Sequence, residues 1–233
     1  MNETDLRMIE NMLKTTTEIF NEDGSPNLAN EEVYKIFEEC KKVYDSGTVY
    51  FPNDWNDYIS SFTGGTVAAG TAQGAWIANN VNTAEDQAGL WDLATIPKVN
   101  ENSLPANSGG SSWFVMATSE HADIAAEMLA YMYADDGMME LANYVTEKIG
   151  YIMTYKPLIE SGFYNEIDDG YYRKGFWGDL ATVGNASPVA ISSAVYKPTT
   201  SELLTAAQAI CIENADIQST VNTAQETIEF QMK

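Results

Sequence analysis

The stretch from Phe62 to Asn80 is almost without bulk, and this limits what can surround it. Gly64, Gly65, Ala68, Ala69, Gly70, Ala72 and Gly74 lead up to a single large ring, Trp76. Thr66–Ala72 has the make-up of a short strand over which a neighbouring backbone or a ligand can come close. Gly74 then breaks the chain before the indole. Such a ring can stack on an apolar face while its N–H donates at the edge. Taken alone, Trp76 fits a core residue as well as a ligand platform.

The remaining chain supplies the context. Leu6, Ile9, Leu13, Thr16 and Phe20 recur at helical spacing and predict a helix over 5–21. The oxygens at 21, 23, 25, 27 and 32 echo a calcium loop, but Pro26 stands where that loop needs glycine, so the segment reads as a solvated turn. A second helix is better marked: Asn30 can cap it, Val33, Ile36, Phe37, Cys40 and Tyr44 form its stripe, and Gly47 follows its end. Trp55, Tyr58, Ile59 and Phe62 predict a short helix leading into the low-bulk stretch. Strands are expected at Leu90–Ile96, stopped by Pro97, and at Ser112–Ala117. Between them, residues 98–110 are rich in Asn, Ser, Pro and Gly, as a crossing loop would be. Beyond, Ala125, Leu129, Met132 and Tyr133 mark a helical face, Gly137 interrupts it, and another helix runs to about Val145. Pro157 opens a short helix, an aromatic cluster fills 163–185, and two helices close the chain, the last with Ile217, Val221, Ala224 and Ile228 on one stripe.

Charge narrows the class of partner. Twelve basic against 34 acidic residues leave a net −22, a surface that repels phosphate backbones and anionic lipid and favours neutral or cationic ligands. No apolar run approaches the ~18 residues of a membrane span, and the polar start Met1-Asn2-Glu3-Thr4-Asp5 is no signal peptide. Cys40 and Cys211 lie on apolar helical runs and read as buried thiols. The catalytic inventory is thin. His121, at a helix start, is the lone histidine, neither cysteine has a histidine near it in sequence, and carboxylate pairs such as Asp135-Asp136 and Asp168-Asp169 are common in so acidic a chain. No metal-ligand spacing and no phosphate-cradling glycine loop is present in the sequence, so no metal or cofactor is expected.

Phe62 to Trp76 resembles the Phe-x-x-Gly-x-x-Ala-x-x-x-x-Gly-x-Trp pattern of extracellular solute-binding proteins of ABC importers, of the carbohydrate-binding, maltose-binding-protein class. The order that follows is similar too: a strand ending at Pro97, Gly109-Gly110-Ser111-Ser112-Trp113-Phe114-Val115, a helix near Glu120, Tyr133-Ala134-Asp135-Asp136-Gly137, and two closing helices. The resemblance covers most of the chain. It implies an α/β fold, periplasmic-binding-protein-like (type II), of which this would be the C-terminal portion: a helix-rich second lobe with a partial first lobe. Residues 1–110 would begin the second lobe, 111–160 would make a return excursion into the first, and 161–233 would close the second.

The implied function is capture of a neutral sugar or oligosaccharide in a two-lobed cleft, without catalysis, and delivery to membrane permease subunits of an ABC importer. The full protein would be a cell-surface lipoprotein or periplasmic. In the family, the Trp matching Trp76 lines the cleft, and the small-residue turn matching Gly110-Ser111 sits at the hinge and touches ligand. Trp113 and Trp177 are further candidates for a stacking ring, Trp177 from the aromatic cluster and from no matched motif. Near Thr199-Thr200-Ser201 the chain lacks the aromatic that some relatives carry, so the sugar stays unnamed. Two alternatives remain: a stand-alone carbohydrate-binding or interaction module, and a glycoside hydrolase fragment with a carboxylate pair across an aromatic cleft.

Overall fold

The computed structural model describes residues 3–70, 75–101, 103–105, 112–134, 137–187 and 193–232. Among these the chain is helical: α1 (Glu3–Thr16), α2 (Glu31–Asp45), α3 (Trp55–Thr63), α4 (Ala75–Val81), α5 (Ala122–Tyr133), α6 (Met138–Ile149), α7 (Lys156–Glu160), α8 (Phe176–Asn185), α9 (Tyr196–Cys211) and α10 (Ile217–Gln231). Short 3₁₀ turns lie at Glu85–Gln87 and Phe163–Glu166.

Local chemistry sets the helix ends. Asn30 caps α2 by accepting from Val33 N, and the stripe Val33, Ile36, Phe37 and Cys40 is fully buried, as its spacing predicts. Asp216 caps α10 in the same way through Ser219 N, and Val221, Ala224 and Ile228 are its buried face. The first helix stops at Thr16 and does not reach residue 21. Its last turn carries β-branched threonines, and Thr15 Oγ1 bonds back to Met12 O at 2.9 Å, a competitor to helix continuation. Phe20 instead turns into the core and bridges to Pro26. In the turn, Asp23 Oδ1 accepts from Ser25 N and Oγ at 2.9 and 2.6 Å, so its oxygens hold the turn together.

Two cores form. One lies among α1, α2, α9 and α10, where Leu13, Phe37, Ile210 and Ile228 meet. Cys40 and Cys211 sit in it as free, buried thiols, with Cys40 Sγ 3.4 Å from Met12 Sδ. The other gathers α3, α4, α6, α7 and α8 around Phe62, Tyr164, Tyr172, Phe176 and Trp177. The chain thus leaves the first core after α2, builds the second, and returns at α9. Between them, Trp91 and Leu93 pack on the second core, Ile96 and Val99 on the first, and Leu104 N bonds Thr15 O at 2.8 Å. The passage from the second core to the first thus falls between Leu93 and Ile96, ahead of the loop expected to be the crossing, and the described part of that loop lies along the first core. The second core draws side chains from all three segments expected as lobe pieces: Phe62, Ala142 and Trp177.

The expected strands do not form among the described residues. Thr66–Gly70, Leu90–Ile96 and Ser112–Met116 are unpaired, and the one β pairing there is the Phe20–Pro26 bridge. A strand needs a neighbour to take its N–H and C=O groups, and the described residues supply helices at these places. The cost is visible at 112–116, where Trp113 is 67% and Phe114 85% exposed. The helix that follows, α5, buries no residue: Ala125, Leu129, Met132 and Tyr133 are half-covered, while Ile124, Met128 and Tyr131 face outward.

Candidate functional site

Trp76 stands on the first turn of α4, a helix of seven residues. So short a helix needs tertiary support. Its inner face, Ile77, Ala78 and Val81, is buried in the second core. Two tyrosines hold its last turn: Tyr172 Oη donates to Ala78 O at 2.5 Å, and Tyr171 Oη donates to Val81 O at 3.1 Å. Burial drives the Tyr172 hydroxyl well above its ordinary range and raises that of Tyr171, so both stay protonated donors. From the other side, α6 ends on Gly150 in the left-handed region at φ 66°, and a Cβ there would run into Asn79 and the Ala75 carbonyl. Asn79 Nδ2 also donates to Lys148 O at 3.2 Å. α4 is thereby clamped, and its outer side carries Trp76, 41% exposed.

A file of rings continues from Trp76. Trp55 meets it edge-to-face with centroids 5.6 Å apart, then come Tyr58, Phe62 and Trp91 at 5.7, 5.1 and 5.6 Å steps. The file passes from exposed indoles to the buried Phe62. Gly70 lets the backbone cross the Phe62 ring, where a Cβ would come within 2.5 Å of it. Gln87 ties the inner end together: its Nε2 donates to Thr63 O at 2.8 Å, and its Oε1 accepts from Trp91 Nε1 at 2.7 Å. In the sequence Trp55 is marked only as a residue of a short helix, and spacing alone does not pair it with Trp76, 21 residues on.

The other expected site residues are placed differently. Trp177 is 2% exposed, with its Nε1 donating to Asp169 Oδ2 at 2.9 Å. Asp169 Oδ1 also accepts from the backbone N–H of Tyr171 and of Tyr172, both at 3.0 Å. This carboxylate, one of the adjacent pairs common in so acidic a chain, is the acceptor that orders the aromatic cluster. Trp113 is open to solvent and has Tyr133 as its ring partner, 6.1 Å away. Gly110 and Ser111 lie outside the described residues, as do Asp135 and Asp136. A recess of about 230 Å³ opens between α9 and α10, lined by Thr205, Ala209, Ser219 and Thr223. Small side chains leave that groove between packed helices, and no aromatic ring lines it. What the rings around Trp76 can do is stack: they offer flat apolar faces with polar edges and no nucleophile or base.

Comparison with known proteins bears on family and fold. The sequence profile of bacterial extracellular solute-binding proteins matches residues 8–162. A lactose-binding protein of Rhizobium radiobacter is 32% identical over 165 residues, covering 70% of this chain and 38% of that protein. In structure, a cyclo/maltodextrin-binding protein complexed with maltotetraose superposes with a TM-score of 0.66 at 13% identity, over 99% of this chain and 57% of its own. A Streptococcus pneumoniae solute-binding protein, in complex with the blood group A-trisaccharide, gives 0.60 at 17% identity, over 97% and 57%. The structural likenesses fix the fold as that of these binding proteins, and the chain spans 57% of the length of the two solved structures and 38% of the lactose-binding protein. Among the described residues no helix is long and apolar enough to cross a membrane. The chain belongs to the family of bacterial extracellular solute-binding proteins.

Proposed function

We infer that the chain captures a neutral sugar or oligosaccharide in the cleft of a two-lobed, type II binding protein and passes it to the permease subunits of an ABC importer. The observation that carries this reading is Trp76: a rigid indole, clamped by its helix and left open to solvent. Such a face suits the C–H face of a pyranose. The net charge of −22 disfavours anionic ligands at the same surface. The ligands in the relatives' names, lactose, maltotetraose and a trisaccharide, are saccharides. Capture is non-catalytic. Asp169 already takes its hydrogen bonds from Trp177, Tyr171 and Tyr172, which argues against it as half of a hydrolytic pair.

In this reading Gly110 and Ser111 supply backbone N–H and hydroxyl groups at the hinge, and Trp113 is a further ring. Trp177 acts through Asp169, by ordering the tyrosines that hold α4. The stretch from 111 to 160 is the excursion into the other lobe. The open apolar side of α5 and of 112–116 then packs on polypeptide beyond these residues, consistent with the 57% share of the neighbours' length that the chain spans. In the complete protein the cell-surface or periplasmic setting follows from the family.

Calorimetric titration of the complete gene product with lactose, maltotetraose and a uronic-acid oligosaccharide tests this. Saturable heat from a neutral saccharide, absent with the uronate, is the expected result. Binding of the uronate alone, or of none of them by folded protein, would remove the neutral-sugar assignment.

A further inference from the structure

Trp55 and Trp76 keep 45% and 41% of their surface exposed while their planes stand at 88°. Two large rings outside the core, each fixed in place, form a built surface. Trp55 opens α3 directly after its cap, Asp54, whose carboxylate accepts from Asp57 N at 2.9 Å. The carboxylate of Asp57 in turn gathers the loop before it, accepting from Tyr50 Oη at 2.7 Å and from Asn53 N and Nδ2 at 2.8 and 2.9 Å. Tyr58 meets the Trp55 ring at 89°. The indole is thus held by its helix start, by a tied loop and by two perpendicular rings. A ligand that uses it loses little to ordering the protein.

We propose that Trp55 contacts ligand and, with Trp76, makes a right-angled aromatic corner that selects neutral saccharides of two or more units. The proposal rests on the sugar-binding reading above. An indole face accepts the C–H face of one pyranose. A single pyranose cannot lie flat on two faces set at right angles. The unit stacked on Trp76 therefore leaves Trp55 to a second unit, carried out of the first ring's plane by the glycosidic bond. A monosaccharide uses Trp76 alone. Asp54 and Asp57, one and two residues from Trp55, add negative charge at the start of α3, which disfavours a uronic or sialic unit.

The test uses the complete gene product and its W55A, W55F and W55L variants, titrated with lactose and maltotetraose and with galactose and glucose as single-unit probes. W55A is expected to weaken whichever multi-unit probe the parent binds by about tenfold, the size of a lost ring contact. Single-unit affinity should stay at the parent value. W55F should retain most multi-unit binding. W55L, which fills the space without a stacking face, should lose it as W55A does. Rescue by W55L, or an equal loss for single and multiple units, would make Trp55 a prop for Trp76 and overturn the proposal. Parent binding that none of the variants alters would overturn it too, with the sugar-binding reading left intact. A folded parent that binds none of the four sugars would overturn both.

Discussion

The core of α1, α2, α9 and α10 and the stretch from Trp113 through α5 are both rich in apolar residues, yet only the first closes on itself. In the first, each helix has one stripe. Val221, Ala224 and Ile228 of α10 go inward, while Gln218, Asn222 and Thr223 lie on its outer side. On α5 the apolar residues run all round, with Leu129 half-covered and Ile124, Met128 and Tyr131 open. A helix that is apolar on every side is built for cover on every side. Among the described residues the stripe of α10 is covered, and the apolar surface of α5 is not. The lesson is that an apolar pattern specifies the burial a residue needs, and the partner has to come from elsewhere in the fold.

Truncation in the closed core should cost most. Phe37→Ala removes a fully buried ring and is expected to lower unfolding free energy by about 3–5 kcal/mol in urea denaturation. Ile124→Ser on α5 should change it by less than about 0.5 kcal/mol in this chain, and equal losses would break the comparison. Between these extremes lies the clamp on α4. Gly150→Ala meets Asn79 and the Ala75 carbonyl while forcing a Cβ into the left-handed region, a loss of about 1–3 kcal/mol with weaker sugar binding, since α4 must shift. Tyr172→Phe removes one donor to α4 and should cost about 1 kcal/mol by thermal melting.

The smallest effect is chemical. Burial pushes the Cys211 thiol up to about 11 and Cys40 higher still. Their folded pKa values are raised, so the associated stability is complete below the ordinary thiol range and declines as pH climbs through it towards 11. Both should resist a thiol reagent at pH 8 in native protein and react on unfolding. Rapid labelling of the native protein would show that the first core opens as readily as α5 is exposed.

Much of the closed core could be read from the sequence, because it is local. The cap at Asn30, the stripe of α2 and that of α10 are spacing and side-chain chemistry, and both recur in the structure. The family order around Trp76 was legible too, and the match over residues 8–162 bears that resemblance out. The support of that ring was not legible. Tyr171 and Tyr172, members of the aromatic cluster, turn their hydroxyls onto the carbonyls of α4, and Trp177 gives its N–H to Asp169. An aromatic residue with a polar tip looks the same in sequence whether the tip meets a sugar or a buried carbonyl. The strand expectations failed for a related reason: β pairing is a property of two segments, and composition describes one. The pairing of Trp55 with Trp76 is not local either, since the two rings stand on different helices.

The most direct test of the account is intrinsic tryptophan fluorescence of the complete gene product, titrated with lactose and maltotetraose, beside Trp76→Ala. The account predicts a saturable change with a neutral saccharide that Trp76→Ala abolishes while the fold is kept. A saturable response that survives the loss of Trp76 would contradict it, because the sugar would then sit elsewhere.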